Sequence, residues 1–438
     1  MKYFKINGGK KLAGKIAVNG SKNATVALFA AAMINKGKTT LKNVPQIEEV
    51  NRWIEVLESI GVGVERKDKT VILTSPKRFD LKNINRESAQ KTRSAIMLIG
   101  ALVSKLDKYF IPQAGGCKLG ERTVRPHLFA VEKFGVKIKS KEDGFEIDTN
   151  KFKPAEEVVL YESGDTVTET ALMVAAQTPG KTVIKMATAN YMVQDVCFFL
   201  EKLGVKIKGI GTNTLEIWGE KNINKDVIYE ISEDPIEAMF FIALAIATKS
   251  KLVIERCPIE FLELELLKLE KMGQKYKILK KYKAKNEKTD LADIEIIPSA
   301  LTALEDKIHG LPFPGINMDN LPFFVPIVSL AKGRTLIHDW AYENRAIYFK
   351  DLNRLGAKIS LLDQHRVEVE GPVKFIPAEM MSPPALRPAA IILVAMLAAP
   401  GESILKDVYS INRGYEKLEE RLESIGADIE LIDDDSEV

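Results

Sequence analysis

LEKLGVKI (residues 200–207) has the form of a helix end, a glycine stop and an alternating strand, and the chain writes that form six times. The other copies are LESIGVGV (57–64), VEKFGVKI (131–138), LEKMGQKY (269–276), LNRLGAKI (352–359) and LESIGADI (422–429). Glycine ends helices because it enters the left-handed region without strain, and the apolar–polar alternation after it has the period of a half-buried strand. The glycines stand at 61, 135, 204, 273, 356 and 426, a spacing of roughly 70 to 80 residues. That is too long for a solenoid repeat and suits one compact supersecondary unit. The chain therefore reads as six related modules.

Upstream of each glycine lies a strongly apolar stretch: ATVALFAAAMI (24–34), SAIMLIGALV (94–103), TETALMVAAQ (168–177), IEAMFFIALAIA (236–247), PFFVPIVSLA (322–331) and AAIILVAMLAA (389–399). A helix apolar on nearly all sides has to be buried, and at roughly ten to twelve residues these are too short for a bilayer, which needs about twenty. Gly37-Lys38-Thr39, Gly180-Lys181-Thr182 and Gly333-Arg334-Thr335 follow three of them as helix stops leading into strands. Each module is expected to be a buried helix, a strand, a more amphipathic exposed helix and one or two further strands. The fold class is α/β. Six modules divide into three plus three. The expected boundaries give a first domain at 22–231 and a second, discontinuous one at 1–21 and 232–438, with a strand pair in 3–18 joining the C-terminal half.

With 46% hydrophobic and 28% charged residues and a net charge of +3, the chain carries no global field for nucleic acid, and any anion recognition must come from local arginines. The N-terminal MKYFKINGGKKL lacks an apolar signal core, and three cysteines at unrelated spacings suit a reducing, cytoplasmic setting. Four scattered histidines show no zinc spacing, and DDDSEV (433–438) reads as a solvated tail. Residues 9–15 match the G-x-x-x-x-G-K start of a phosphate loop, yet Ile16 stands where Ser or Thr would hold magnesium and no strand is expected before it. A hairpin turn is the better reading.

The stretch IPQAGGCKLGERTVRPH (111–127) breaks the module pattern. Glycine lets backbone approach a ligand closely, and Cys117 lies among Lys118, Arg122 and Arg125, a basic setting that favours thiolate. A loop thiol of no consequence is the competing reading. Cys197 and Cys257 are read as small buried apolar groups.

GGCKLGERTVRPH (115–127), SKNA (21–24), KTRSA (91–95), YENR (342–345), LRPAA (386–390) and NRGYEKLEERL (412–422) together resemble the enolpyruvyl transferases, on the branch that carries the GGC loop rather than the shikimate-pathway branch, and the likeness runs end to end. The resemblance implies two inverse α/β prism domains, each of three βαβαββ-like units around buried helices. It implies transfer of the enolpyruvyl group of phosphoenolpyruvate to the 3′-hydroxyl of UDP-N-acetylglucosamine with release of phosphate, the first committed step of peptidoglycan synthesis, by addition and elimination through a tetrahedral intermediate.

By motif match, Lys22, Arg122 and Arg413 would face the phosphate with Arg93 nearby, and Arg345 and Arg387 would hold the carboxylate. Arginine suits that task because its fork matches carboxylate and phosphate oxygens. Cys117 matches the family's proton donor to the methylene carbon and Asp319 the base for the sugar hydroxyl. Asn23, Ser163 and Gly164, with Arg93 and Asp319, would contact the sugar nucleotide. No metal or organic cofactor, nucleic acid, membrane insertion or obligate protein partner is implied, and the expected location is the cytoplasm.

The chain also departs from the family. Ala385 stands where an acidic residue precedes the matched arginine by two positions, Met97 and Pro235 replace a usual Trp and Arg, and TANYMVQD (188–195) lacks an acidic turn. PFPGINMD (312–319) spaces Asp319 farther from its Phe-Pro. Ala385 implies that one part of the family's proton machinery is missing or supplied elsewhere, and the changes touch the sugar-nucleotide side more than the phosphoenolpyruvate side. They keep two alternatives open: the same transfer to a modified UDP-amino sugar, or a non-catalytic paralogue that binds a nucleotide sugar.

Overall fold

A computed structural model describes residues 1–113, 115 and 123–433. Its strands form six sheets, five of four strands and one of three. All six repeat glycines take positive φ, between 79° and 100°. Gly135 shows why nothing larger fits there: besides φ 79°, a Cβ would lie 2.2 Å from the carbonyl oxygen of Lys151.

The chain forms two compact units, one of residues 20–113 and 123–232, the other of Met1–Asn19 and 233–433. The N-terminal segment enters the second unit because its strands are needed there. Lys2–Gly8 pairs antiparallel with both Gly401–Lys406 and Ile429–Asp433, while Ala13–Ala17 runs parallel to Lys251–Pro258. The expected hairpin around residues 9–15 is thus corrected. A strand does precede Gly9, and the two strands beside the turn enter different sheets. The first unit closes in the same way, with Val227–Glu230 parallel to Lys38–Lys42 at the start of its own repeat.

At the centre of each unit lie the apolar helices. Every residue of Pro235–Ala247 is buried, as are twelve of Leu386–Ala398 and ten of Asp165–Ala176. Each large aliphatic or aromatic side chain so removed from water contributes about 1.5–3 kcal/mol, which is why these stretches need no amphipathic stripe. Polar residues at the ends are satisfied locally: Ser21 caps Lys22–Ala32 through the Ala24 N–H, and Asp234 caps Pro235–Ala247 through Ile236 and Glu237.

Several modules depart from the expected pattern; in the second the apolar segment is the 3₁₀ turn Arg93–Met97 followed by the short helix Leu98–Ala101. Tyr191–Lys202, expected to be an exposed helix, buries nine of its twelve residues, because Phe199, Leu200 and Val196 pack inward while Asp195 is consumed by Ser232 and Tyr229. In the fifth module the apolar segment is a 3₁₀ turn, Leu321–Phe323, followed by the short helix Phe324–Val328, and the second helix, Ala346–Leu355, is 3₁₀. Pro322 and Pro326 remove two N–H donors from the apolar segment and account for its shortness.

Candidate active site

In the second unit three sequence-selected residues converge. Asp319 ends a loop fixed from below by Glu265, which is 2% exposed and accepts from the Asn317 N–H at 3.0 Å and from Asn320 Nδ2 at 2.9 Å. Asn317 Oδ1 in turn accepts the Asp319 N–H at 2.9 Å, so the aspartate's backbone is held by an Asx turn. Its carboxylate meets three donors. Arg345 Nη1 and Tyr342 Oη each lie 3.3 Å from Oδ1, and Arg387 Nη2 lies 3.5 Å from Oδ2.

Arg345 is 1% exposed. Its Nε donates to Asp339 Oδ2 at 2.5 Å and its Nη2 to Asp339 Oδ1 at 3.0 Å and to the Met318 carbonyl at 2.6 Å, with the guanidinium 3.9 Å above the Tyr342 ring. Burial pushes the Asp339 carboxyl up while Arg345 pulls it down. Arg387 sits in the first turn of Leu386–Ala398 and donates to Tyr415 Oη at 3.3 Å. Burial drives the Tyr415 phenol well above its usual range, so it remains a neutral hydroxyl. Phe240 of the central helix packs against both Tyr415, at 5.1 Å, and Phe323, at 6.0 Å, and so ties the arginine's partner and the segment after Asp319 to one floor. Arg413 lies two residues before Tyr415 and is half-buried, its backbone N–H bonded to Tyr409 O, and Gly414 beside it abuts Leu386.

In the first unit Lys22 and Asn23 open the buried helix Lys22–Ala32, and Ser163 and Gly164 precede Asp165–Ala176, with Gly164 as its N-cap. Arg93 begins the 3₁₀ turn Arg93–Met97 and reaches the Thr123 carbonyl at 3.4 Å; burial, and then the charge of Arg93, hold the His127 imidazole down at about 4. Cys117 and Arg122 lie outside the described residues. The described glycine before them, Gly115, passes so close to Gln90 that a Cβ would stand 1.7 Å from its carbonyl oxygen. Cys197 and Cys257 are fully buried and their thiols are pushed up by burial, in keeping with a packing role. Among the described residues no group of three His, Cys, Asp or Glu could hold a metal ion, and no helix is long and apolar enough to cross a membrane.

The departures acquire local reasons. Met97 is core, Pro235 is the first residue of its helix, and Asn190 caps Tyr191–Lys202 while its Nδ2 reaches Asp165 Oδ2 at 3.1 Å. Ala385 is the N-cap of Leu386–Ala398 and offers no side-chain acceptor. Asp339 and Glu265 carry no motif of their own, and Tyr415 stands in NRGYEKLEERL without having been singled out. Asp339 alone had a hint, six residues before Arg345 in the same segment as YENR.

Two buried-helix units of repeated sheets, one bearing a carboxylate between two guanidinium groups, define the class: an inverse α/β enolpyruvyl transferase fold. The family described as EPSP synthase (3-phosphoshikimate 1-carboxyvinyltransferase) matches residues 6–422, and the chain belongs to it. Among characterised relatives, the UDP-N-acetylglucosamine 1-carboxyvinyltransferase of Treponema denticola is 32% identical over 98% of this chain and 99% of its own. The UDP-N-acetylglucosamine 1-carboxyvinyltransferase 2 of Caldanaerobacter subterraneus is likewise 32% identical, over 98% and 99%. Of solved structures, the enolpyruvyl transferase NikO from Streptomyces tendae superposes with a TM-score of 0.84 at 22% identity over 98% and 99% of the two chains. An EPSP synthase from Acinetobacter baumannii gives 0.75 at 19% over 99% and 100%.

Proposed function

We propose that the protein transfers the enolpyruvyl group of phosphoenolpyruvate to the 3′-hydroxyl of UDP-N-acetylglucosamine, in the cytoplasm, as the entry to peptidoglycan synthesis. The observation that carries this reading is the 32% identity, over nearly the whole of both chains, to proteins named for that reaction. The chemistry fits the residues. Cys117 gives a proton to the methylene carbon, and the sugar oxygen bonds to the adjacent carbon as its own proton passes to Asp319. The resulting tetrahedral phospholactoyl adduct then returns a methyl proton to the Cys117 thiolate and expels phosphate to restore the double bond, and Asp319 releases its proton to the departing phosphate or solvent. Lys22, Arg93, Arg122 and Arg413 are assigned to the phosphate and Arg345 and Arg387 to the carboxylate; Asn23, Ser163 and Gly164, with Arg93 and Asp319, are assigned to the sugar nucleotide.

Phosphate release from phosphoenolpyruvate, measured with and without UDP-N-acetylglucosamine, tests the reading. Release only with the acceptor is expected; none with it, despite binding of both ligands, rejects it. Cys117→Asp is expected to retain turnover and Cys117→Ser to lose nearly all, because a carboxylic acid can supply the proton and a serine hydroxyl, far weaker as an acid than a thiol of pKa about 8.5, cannot. A second reading, transfer to a modified UDP-amino sugar, is favoured by Asn190 and Pro235 standing where the family's acidic turn and arginine would be. Phosphate release with such a sugar and not with UDP-N-acetylglucosamine selects it.

A further inference from the structure

We propose that Asp339 is a positioning residue for the phosphoenolpyruvate carboxylate: it takes up the Nε–Nη2 edge of Arg345, so that this arginine meets the ligand with Nη1 alone. The inference rests on the reading above and changes what Arg345 does in it.

A guanidinium has five N–H donors in a rigid plane, and a free one offers a carboxylate two parallel bonds. Here that fork is already used. Nε and one Nη2 hydrogen go to the two oxygens of Asp339, at 2.5 and 3.0 Å, and the other Nη2 hydrogen goes to the Met318 carbonyl at 2.6 Å. Asp339 and Arg345 are both 1% exposed, so water does not compete for these bonds, and it is the bonds that hold the plane in one orientation. Tyr342 closes one face of that plane, 3.9 Å from its centre. What is left is Nη1, and it is aimed at Asp319 Oδ1, 3.3 Å away, on the carboxylate that Arg387 also approaches. The one remaining nitrogen of this buried ion pair is thus directed at a second carboxylate, whose other oxygen Arg387 approaches. The carboxylate of Asp319 occupies the place between the two arginines that an anionic ligand would take. The ligand carboxylate is therefore held by one donor from Arg345 and by Arg387, and the direction of the first is fixed by Asp339.

Asp339→Asn keeps the shape of the side chain and removes its charge and one acceptor, which frees the fork to turn. The expected result is a rise of about tenfold or more in KM for phosphoenolpyruvate, with KM for UDP-N-acetylglucosamine within about twofold and kcat lowered less than KM is raised. Asp339→Glu, which restores the charge, is expected to recover part of the loss. Arg345→Lys added to Asp339→Asn should cost less than it does alone, since both act on one bond. Thermal unfolding of the ligand-free variants is read in parallel. An unchanged KM for phosphoenolpyruvate, or equal rises in both KM values tracking a lower Tm, overturns the proposal. If Asp339→Asn does not fold, Asp339→Glu carries the test, with the same selective rise in KM expected and its absence decisive. Stabilisation of each variant against heat by phosphoenolpyruvate alone needs no acceptor. A wild type that is stabilised by phosphoenolpyruvate but does not turn over UDP-N-acetylglucosamine rejects the proposed reaction, while Asp339→Asn still reports on Asp339 by its loss of that stabilisation. A wild type that shows neither rejects both.

Discussion

Asp319, proposed as the base, has neighbours that oppose that work. Arg345, Arg387 and Tyr342 all donate toward it, and donors to the charged form hold a carboxylate ionised and make it reluctant to accept a proton. A ligand carboxylate competing for those arginines would take donors away from Asp319 and raise its basicity when substrate is present. Asp319→Asn should then separate binding from chemistry. With its charge gone, the arginines are unmasked, so phosphoenolpyruvate is expected to bind as tightly or more tightly, while kcat falls by roughly 10²- to 10⁴-fold, the usual worth of a general base. Weaker binding in that variant would place Asp319 on the ligand side of the contact. Glu169 makes a different prediction. It is fully buried in the helix Asp165–Ala176, one of its oxygens has no hydrogen-bond partner, and burial with nearby Asp165 raises its pKa well above the carboxylate range. The folded state therefore keeps a proton that the unfolded chain releases above about pH 4.5. Its contribution to stability is complete below that pH and lost as pH rises, by at most about 1.4 kcal/mol per unit. Glu169→Gln should gain on the wild type as pH rises above about 4.5 in urea unfolding. A constant difference across that range would mean that Glu169 is ionised in the fold.

At the level of elements, the repeat glycines were legible because a left-handed residue after a helix leaves only glycine without strain, and the buried helices because their composition tolerates no solvent face. Strand partners were not legible. Nothing in residues 2–17 distinguishes a hairpin from two strands entering separate sheets, since pairing is decided by which edges the distant helices leave open. The site divides along the same line. Arg345 and Arg387 stand in quoted motifs, whereas the contacts of Asp339, Glu265 and Tyr415 come from packing, and a buried Asp reads no differently from a solvated one. The glycines themselves are open to a graded test. Gly61 has φ 92° and open space, since a Cβ there would come no closer than 3.7 Å to Pro76, while a Cβ at Gly135 would meet a carbonyl oxygen at 2.2 Å. Gly61→Ala is expected to cost about 1–2 kcal/mol from backbone strain alone, and Gly135→Ala more than that because the Lys151 backbone must also move. Equal losses in denaturant unfolding would show that the close approach at Gly135 yields without cost.

Across the whole molecule, the residues assigned to phosphoenolpyruvate belong to both compact units: Lys22 and Arg93 to one, Asp319, Arg345, Arg387 and Arg413 to the other. Among the described residues the chain passes between the units after Asn19 and after Ser232, and both passages are tied down. Ser232 is bonded to Asp195 through its N–H and hydroxyl, and Asn19 to Glu237 through its N–H at 2.8 Å and to Asp234 through its carbonyl at 2.9 Å. Chemistry that uses both sets of cations requires a ligand to engage both units at once, and expulsion of water from around the reacting groups would strengthen each charge contact. Small-angle scattering should therefore record a smaller radius of gyration with UDP-N-acetylglucosamine than without it, and a smaller one again when phosphoenolpyruvate or its product analogue is added. The variant Arg387→Ala, which leaves the core helix intact but removes one unit's grip on the carboxylate, should bind the sugar nucleotide and lose the second step of compaction. An unchanged radius in the wild type, with binding of both ligands confirmed by calorimetry, would mean that the two sets of residues do not act on one substrate, and the division of labour proposed for the arginines would fall with it.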